Sequence, residues 1–126
     1  MDEQKVIAVT DDDAAIRTAL HRLLTGSGYS TELYASTEEF LNAAATSKAD
    51  CLIIDINLGA TTGVELGRRL SALGYKLPII FMTAHDNNVL RAQALRFGCV
   101  AYLYKPFPSQ QLLNAINRAL SKTDPN

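Results

Sequence analysis

The sequence has no basic excess. Its 12 lysines and arginines face 13 aspartates and glutamates over 126 residues, a formal net charge of -1. Surfaces that hold nucleic acid on their own carry a clear positive surplus, so direct nucleic-acid binding is not expected. No apolar run approaches the length of a membrane span. The opening MDEQKVIAV lacks the basic flank and the cleavage site of a signal peptide. Cysteine is scarce: Cys51 and Cys99 stand far apart, without CxxC spacing. They read as small buried hydrophobes in a reducing cytoplasm rather than as a disulfide or a metal site. Repeats, low-complexity segments and linkers are also missing. What remains is a chain with 48% hydrophobic residues, enough for one domain with a single sizeable core. It is read as a single domain over residues 1–126, with a core of about 5–120 and a polar tail at 121–126.

Short apolar runs alternate with helical patterns. Strands are expected at 6–10, 29–34, 51–55, 77–83 and 100–104. Helices are expected at 14–25, from 36 through Ala44, from 62 to Leu73, at 86–97 and at 109–121. The first helix carries Ile16, Ala19, Leu20, Leu23 and Leu24 at helical spacing, and the last carries Leu112, Leu113, Ile116 and Leu120. Ser36-Thr37-Glu38-Glu39 and Thr62-Gly63-Val64-Glu65 are capping boxes that open two of the others. Five strand–helix units of this kind imply an α/β fold, a doubly wound parallel sheet with helices on both faces.

In an open α/β sheet, ligands bind beyond the carboxyl ends of the strands. Those ends carry Asp11 and Asp12 on the first strand, Asp55 on the third, Thr83 on the fourth and Lys105 on the fifth. Carboxylates this close repel unless something compensates them. A divalent cation does so, and an all-oxygen donor set points to Mg²⁺. Asp13 is assigned instead to the first turn of the following helix, where its charge suits the dipole. Asp55, facing a metal, is placed to act as a nucleophile toward phosphorus. Lys105 reaches toward Asp55 or a phosphoryl group on it, and the Lys105–Pro106 bond is a candidate cis peptide. Thr83 offers a hydroxyl to a phosphoryl oxygen. Each has a plainer role: helix capping for the aspartates, a turn for Asp55, a solvated amine for Lys105 and a backbone-bonded strand end for Thr83. Their joint placement at one sheet edge favours the chemical reading.

The stretches VTDDDAAIR, LIIDINL, IIFMTAH and AYLYKPF resemble the receiver domain of two-component response regulators, the CheY-like family, over roughly residues 5–120. The TDDD opening and FMTAHDN look closest to the FixJ-type subgroup. The resemblance implies a flavodoxin-like sheet of five strands in the order 2-1-3-4-5, with five helices. It implies a phosphoacceptor role for Asp55 and Mg²⁺ held by Asp11, Asp12, Asp55 and the backbone carbonyl of Asn57. It further implies phosphoryl contacts from Thr83 and Lys105, with Tyr102 as the switch aromatic that turns inward when Thr83 moves. Asn57 and His85 occupy positions that tune the phosphoryl lifetime; His85 equally fits a solvated loop histidine. Implied partners are a sensor histidine kinase or a phosphotransfer protein. A phosphorylation-dependent homodimer or output-domain contact would use residues 86–121. Gly59 stands where family members usually have proline, which should loosen that loop, and Thr10 where many have an apolar residue. Two rivals are a phosphohydrolase of the haloacid dehalogenase type and a degenerate receiver serving as a phosphorylation-independent interaction module. The first carries DxDxT after its first strand, whereas here the nucleophile is read on the third strand and Asp55-Ile56-Asn57 lacks the second aspartate; the second does not need an intact Asp11, Asp12, Asp55, Thr83 and Lys105 set.

Overall fold

The structure, a computed structural model, describes residues 4–57, 62–85 and 87–123. Gly59 and Asp86 lie outside the described residues, so the expectation of a loosened loop at Gly59 does too. The strands are β1 (Val6–Thr10), β2 (Ser30–Tyr34), β3 (Cys51–Asp55), β4 (Ile79–Thr83) and β5 (Ala101–Tyr104). The helices are α1 (Ala14–Gly26), α2 (Thr37–Ala43), α3 (Gly63–Ala72), α4 (Asn88–Phe97) and α5 (Ser109–Thr123). All pairings are parallel and the strand order is β2-β1-β3-β4-β5, as the family resemblance implied.

Strand side chains alternate between faces, so each central strand feeds two apolar layers. Ile7, Val9, Cys51, Ile53, Ile80 and Met82 meet Leu20 and Leu24 of α1 and Leu112 and Ile116 of α5. Ala8, Leu52, Ile54, Ile79 and Phe81 meet Phe40, Leu66, Leu70 and Ala94 on the opposite face. This double burial is why the strands read as continuous apolar runs instead of alternating ones. Ala19, expected on the buried stripe of α1, is exposed. Cys51 is buried and Cys99 only half-buried, and both are free thiols. Burial, with help from the Asp50 charge, pushes the Cys51 thiol up to about 12, so it stays protonated and inert.

Element ends depart from the sequence reading where side chains set them. β4 starts at Ile79 rather than residue 77, because Pro78 has no N–H for the ladder and only its carbonyl joins, accepting from the Leu52 N–H at 3.0 Å. α4 starts at Asn88 rather than residue 86, because the Asn87 side chain caps it by accepting from the Leu90 N–H at 3.0 Å. Ser36 and Thr62 cap α2 and α3 as expected, accepting from the N–H groups of Glu39 and Glu65. Asp13 is the N-cap of α1 and not part of its first turn: its Oδ1 accepts from Ala15 N–H at 2.8 Å and Ile16 N–H at 3.4 Å. Capping by side-chain oxygen accounts for an aspartate there more directly than the dipole does. Thr10 is fully buried, and its hydroxyl has no hydrogen-bond partner among the described residues.

Candidate functional site

The parallel sheet brings the carboxyl ends of β1, β3, β4 and β5 to one edge, and the polar residues predicted there do converge. Asp11 and Thr83 are fully buried and Asp55 nearly so, while Asp12 is exposed. One oxygen from each of Asp11, Asp12 and Asp55 lies within 4.8 Å of the others. They line a cavity of about 220 Å³ together with Asn57, His85 and Lys105. A larger cavity, about 300 Å³, lies against Phe40, Leu70 and Leu77 beside the opposite ends of the strands, and gathers no such cluster.

The cluster is compensated in part by the protein itself. Lys105 Nζ donates to Asp11 Oδ2 at 2.8 Å and to Asp55 Oδ2 at 3.0 Å. The ammonium thus bridges two carboxylates from different strands. Burial disfavours that charge, yet the hydrogen bonds and negative charges of Asp11 and Asp55 outweigh it and hold the Lys105 pKa above the usual lysine value. The Lys105–Pro106 peptide is cis, and the Lys105 N–H donates to the Thr83 carbonyl at 2.7 Å.

Two of the three carboxylates are also fixed by backbone. Asp11 Oδ1 accepts from the Asp13 N–H and Asp55 Oδ1 from the Asn57 N–H, both at 2.9 Å. These bonds leave Asp12 as the carboxylate with no ion pair among the described residues. The donor set, three carboxylates in a small open cavity, suits a hard divalent cation that keeps several waters. The unneutralised Asp12 should make the metal-free site repulsive. Asp12→Asn is expected to melt higher than wild type in EDTA and to gain less from Mg²⁺, which stabilises the folded chain by binding only that state. Melting curves with and without Mg²⁺ check both, and a metal-free Asp12→Asn protein that melts lower than wild type contradicts it.

Thr83 does not face the carboxylates freely. Its hydroxyl donates to the His85 carbonyl at 2.8 Å and accepts from Asn57 Nδ2 and the His85 N–H, each at 3.1 Å. Of His85, the structure engages the backbone in this network; the residue itself is exposed. Tyr102 is half-buried against the apolar layer of α2, α3 and α4, with its ring edge-on to Tyr104 at 5.4 Å.

Three contributors were not read from the sequence. Arg17, on α1, donates from Nη1 to the Asp11 carbonyl at 2.7 Å and pins the strand end that carries the acidic pair. Its position one helical turn past Asp13 was the available signal. The Asn57 side chain binds Thr83 across 26 residues of sequence, and nothing local announces that. Gly63 was read only as part of a capping box. A Cβ there would lie 2.8 Å from Ile54 Cγ2 and 3.0 Å from Ile56 Cα. Only glycine lets α3 begin this close to the end of β3.

Comparison with known proteins agrees with this geometry. A family model described as the response regulator receiver domain matches residues 7–117. The response regulator protein TodT of Pseudomonas putida is 37% identical over 119 residues, covering 94% of this chain and 52% of TodT. The transcriptional regulatory protein TdiR of Thauera aromatica is 35% identical over 115 residues, covering 91% of this chain and 51% of TdiR. The chain therefore spans about half the length of these curated relatives. Among solved structures, full-length FixJ from B. japonicum superposes with a TM-score of 0.91 at 32% identity, covering 98% of this chain and 61% of that one. The crystal structure of FixJ-N gives 0.87 at 29% identity, covering 95% of this chain and 96% of that one.

Proposed function

The chain belongs to the response regulator receiver domain family, and from that premise we propose that Asp55 accepts a phosphoryl group and switches a partner-binding surface. It is a receiver domain of two-component response regulators, a signal switch. The observation that carries the assignment of Asp55 is the Lys105 ammonium held between Asp11 and Asp55, with Asp12 beside them.

The proposed donor is a phosphohistidine on a sensor histidine kinase or a phosphotransfer protein. An Asp55 carboxylate oxygen attacks phosphorus, the P–N bond breaks, and the imidazole leaves with the electron pair. Mg²⁺ bound by Asp11, Asp12, Asp55 and the Asn57 carbonyl would neutralise the carboxylates and polarise the phosphoryl oxygens. Lys105, freed from one carboxylate, and the Thr83 hydroxyl then hold phosphoryl oxygens. Self-catalysed uptake and slow hydrolysis are the only chemistry proposed, with Asn57 and His85 flanking the bond that water must cleave. The whole of 1–126 acts as one receiver domain in this reading. The proposed compartment is the cytoplasm, as suits a receiver that takes its phosphoryl group from a histidine kinase. No helix among the described residues is long and apolar enough to cross a membrane.

Phosphorylation replaces the single negative charge of the Asp55 carboxylate with a phosphoryl group carrying about 1.5 to 2 negative charges. That charge draws Thr83 and Lys105 inward and opens space for Tyr102. The proposed output surface is α4, β5 and α5, where Val89, Leu95 and Tyr104 are exposed hydrophobics and Arg91 donates to the Tyr104 hydroxyl at 3.0 Å. Homodimerisation, or docking of an output domain, is proposed through this face. Beryllofluoride with Mg²⁺, a stand-in for the phosphoryl group, should raise the sedimentation coefficient or change amide exchange in residues 87–121. Exchange that changes only around Asp11, Asp12, Asp13 and Asp55 contradicts this output face.

A further inference from the structure

We infer that the Asn57 carboxamide is a latch that holds the Thr83 hydroxyl away from the phosphoryl site, so that switching requires its release. This rests on the proposed role of Asp55 as phosphoacceptor. A threonine hydroxyl has one hydrogen and two lone pairs. In Thr83 the hydrogen goes to the His85 carbonyl, and the lone pairs accept from the His85 N–H and from Asn57 Nδ2. The buried hydroxyl is therefore saturated. To donate to a phosphoryl oxygen on Asp55, it must take its hydrogen from His85 and turn, which breaks the contact with Asn57.

The two His85 bonds come from a residue two places along the same chain, and they follow Thr83 through local backbone adjustment. The Asn57 bond comes from a separate segment, the end of the neighbouring strand β3, and does not follow the Thr83 hydroxyl as it turns. Asn57 also touches the phosphoacceptor: its N–H donates to Asp55 Oδ1 at 2.9 Å. One residue thus contacts both ends of the switch, with its backbone on Asp55 and its side chain on Thr83. A change at Asp55 that shifts the Asn57 backbone would loosen the hold on Thr83. Asn57 is a positioning residue in this account, since it acts through Thr83.

Removing the carboxamide should destabilise the resting arrangement alone. A ligand that selects the switched state then binds more tightly by the same factor. Asn57→Ala keeps the N–H on Asp55 and the backbone carbonyl, and it alters an exposed residue. The loss of one hydrogen bond to a buried hydroxyl corresponds to about a fivefold gain in affinity.

The test is calorimetric titration of the intact chain with beryllofluoride at saturating Mg²⁺, on wild type, Asn57→Ala, Thr83→Val, Thr83→Ser and the two double variants. Asn57→Ala should bind about fivefold tighter than wild type. The gain should vanish in the Thr83→Val background, which has no hydroxyl to latch, and persist in Thr83→Ser. Equal or weaker binding by Asn57→Ala, or an undiminished gain in Thr83→Val, overturns the latch while leaving Asp55 in its role. The second of these results would mean that Asn57 acts on the phosphoryl group directly. A wild-type chain that binds no beryllofluoride overturns the phosphoacceptor reading itself, and the latch with it.

Discussion

Asp55→Asn is expected to abolish phosphoryl uptake from acetyl phosphate and Mg²⁺, lowering it by at least about a hundredfold, as removal of a nucleophile does. The substitution keeps the size and shape of the side chain. An amide oxygen can still accept from the Asn57 N–H, the bond that Asp55 Oδ1 makes now. The amide nitrogen, however, would meet Lys105 Nζ where Asp55 Oδ2 stands 3.0 Å away. Two donors would then face each other, so Lys105 should keep only its bond to Asp11. The fold should survive this, because β3 is held by Leu52, Ile53 and Ile54 in two apolar layers. The loss is therefore chemical, and intact mass should show one added phosphoryl group on wild type and none on the variant. Chelation of metal should block wild type as completely. Full labelling of Asp55→Asn would contradict the assignment.

Lys105→Met should destabilise the metal-free protein by about 3 kcal/mol, the cost of leaving buried carboxylates without their counter-charge. The side chains of Lys105, Asp11 and Asp55 are 14%, 0% and 11% exposed, so solvent screens this interaction little. For a chain of this size the melting temperature should fall by roughly 10 °C. Mg²⁺ should recover much of that loss, because a divalent cation compensates the same carboxylates. The pH dependence has a definite sign. Asp11 and Asp55 hold the Lys105 pKa above the ordinary 10.5 against the pull of burial. A raised lysine pKa gives stability that is fully present below the unfolded value and lost as pH rises through the folded one. The contribution should thus be constant near neutrality and fade only in alkaline solution above about 10.5. Thermal melts in EDTA and in Mg²⁺, at neutral and alkaline pH, check this. A metal-free Lys105→Met protein as stable as wild type would show that the carboxylates do not need the amine.

The sheet was legible because its central strands are buried on both faces, so that runs such as CLIID stand out against polar flanks. Its parallel pairing followed from the intervening helices. The strand order came from the family resemblance, since no local pattern fixes which strands are neighbours. Element ends were less legible where several candidate capping residues stand in a row, as with Asp86, Asn87 and Asn88, or where proline interrupts, as at Pro78. The site was legible as far as strand ends determine it. Asp11, Asp55, Thr83 and Lys105 each follow an apolar run, and a parallel sheet must bring such ends together. Of the bonds between them, only the reach of Lys105 to Asp55 was legible. That Lys105 also holds Asp11 and that Asn57 engages Thr83 are contacts between separate segments. They depend on side-chain directions that no spacing in the sequence encodes. The Gly63 approach to Ile54 is of the same kind.

Locating the phosphoryl group on the chain tests the central claim most directly. Borohydride reduction of an aspartyl phosphate converts that aspartate to homoserine, which marks the residue for peptide sequencing by mass spectrometry. After treatment with acetyl phosphate and Mg²⁺, homoserine should be found at position 55 and nowhere else, and EDTA should prevent it. Homoserine at Asp11 or Asp12, or a modified chain with Asp55 intact, would contradict the account.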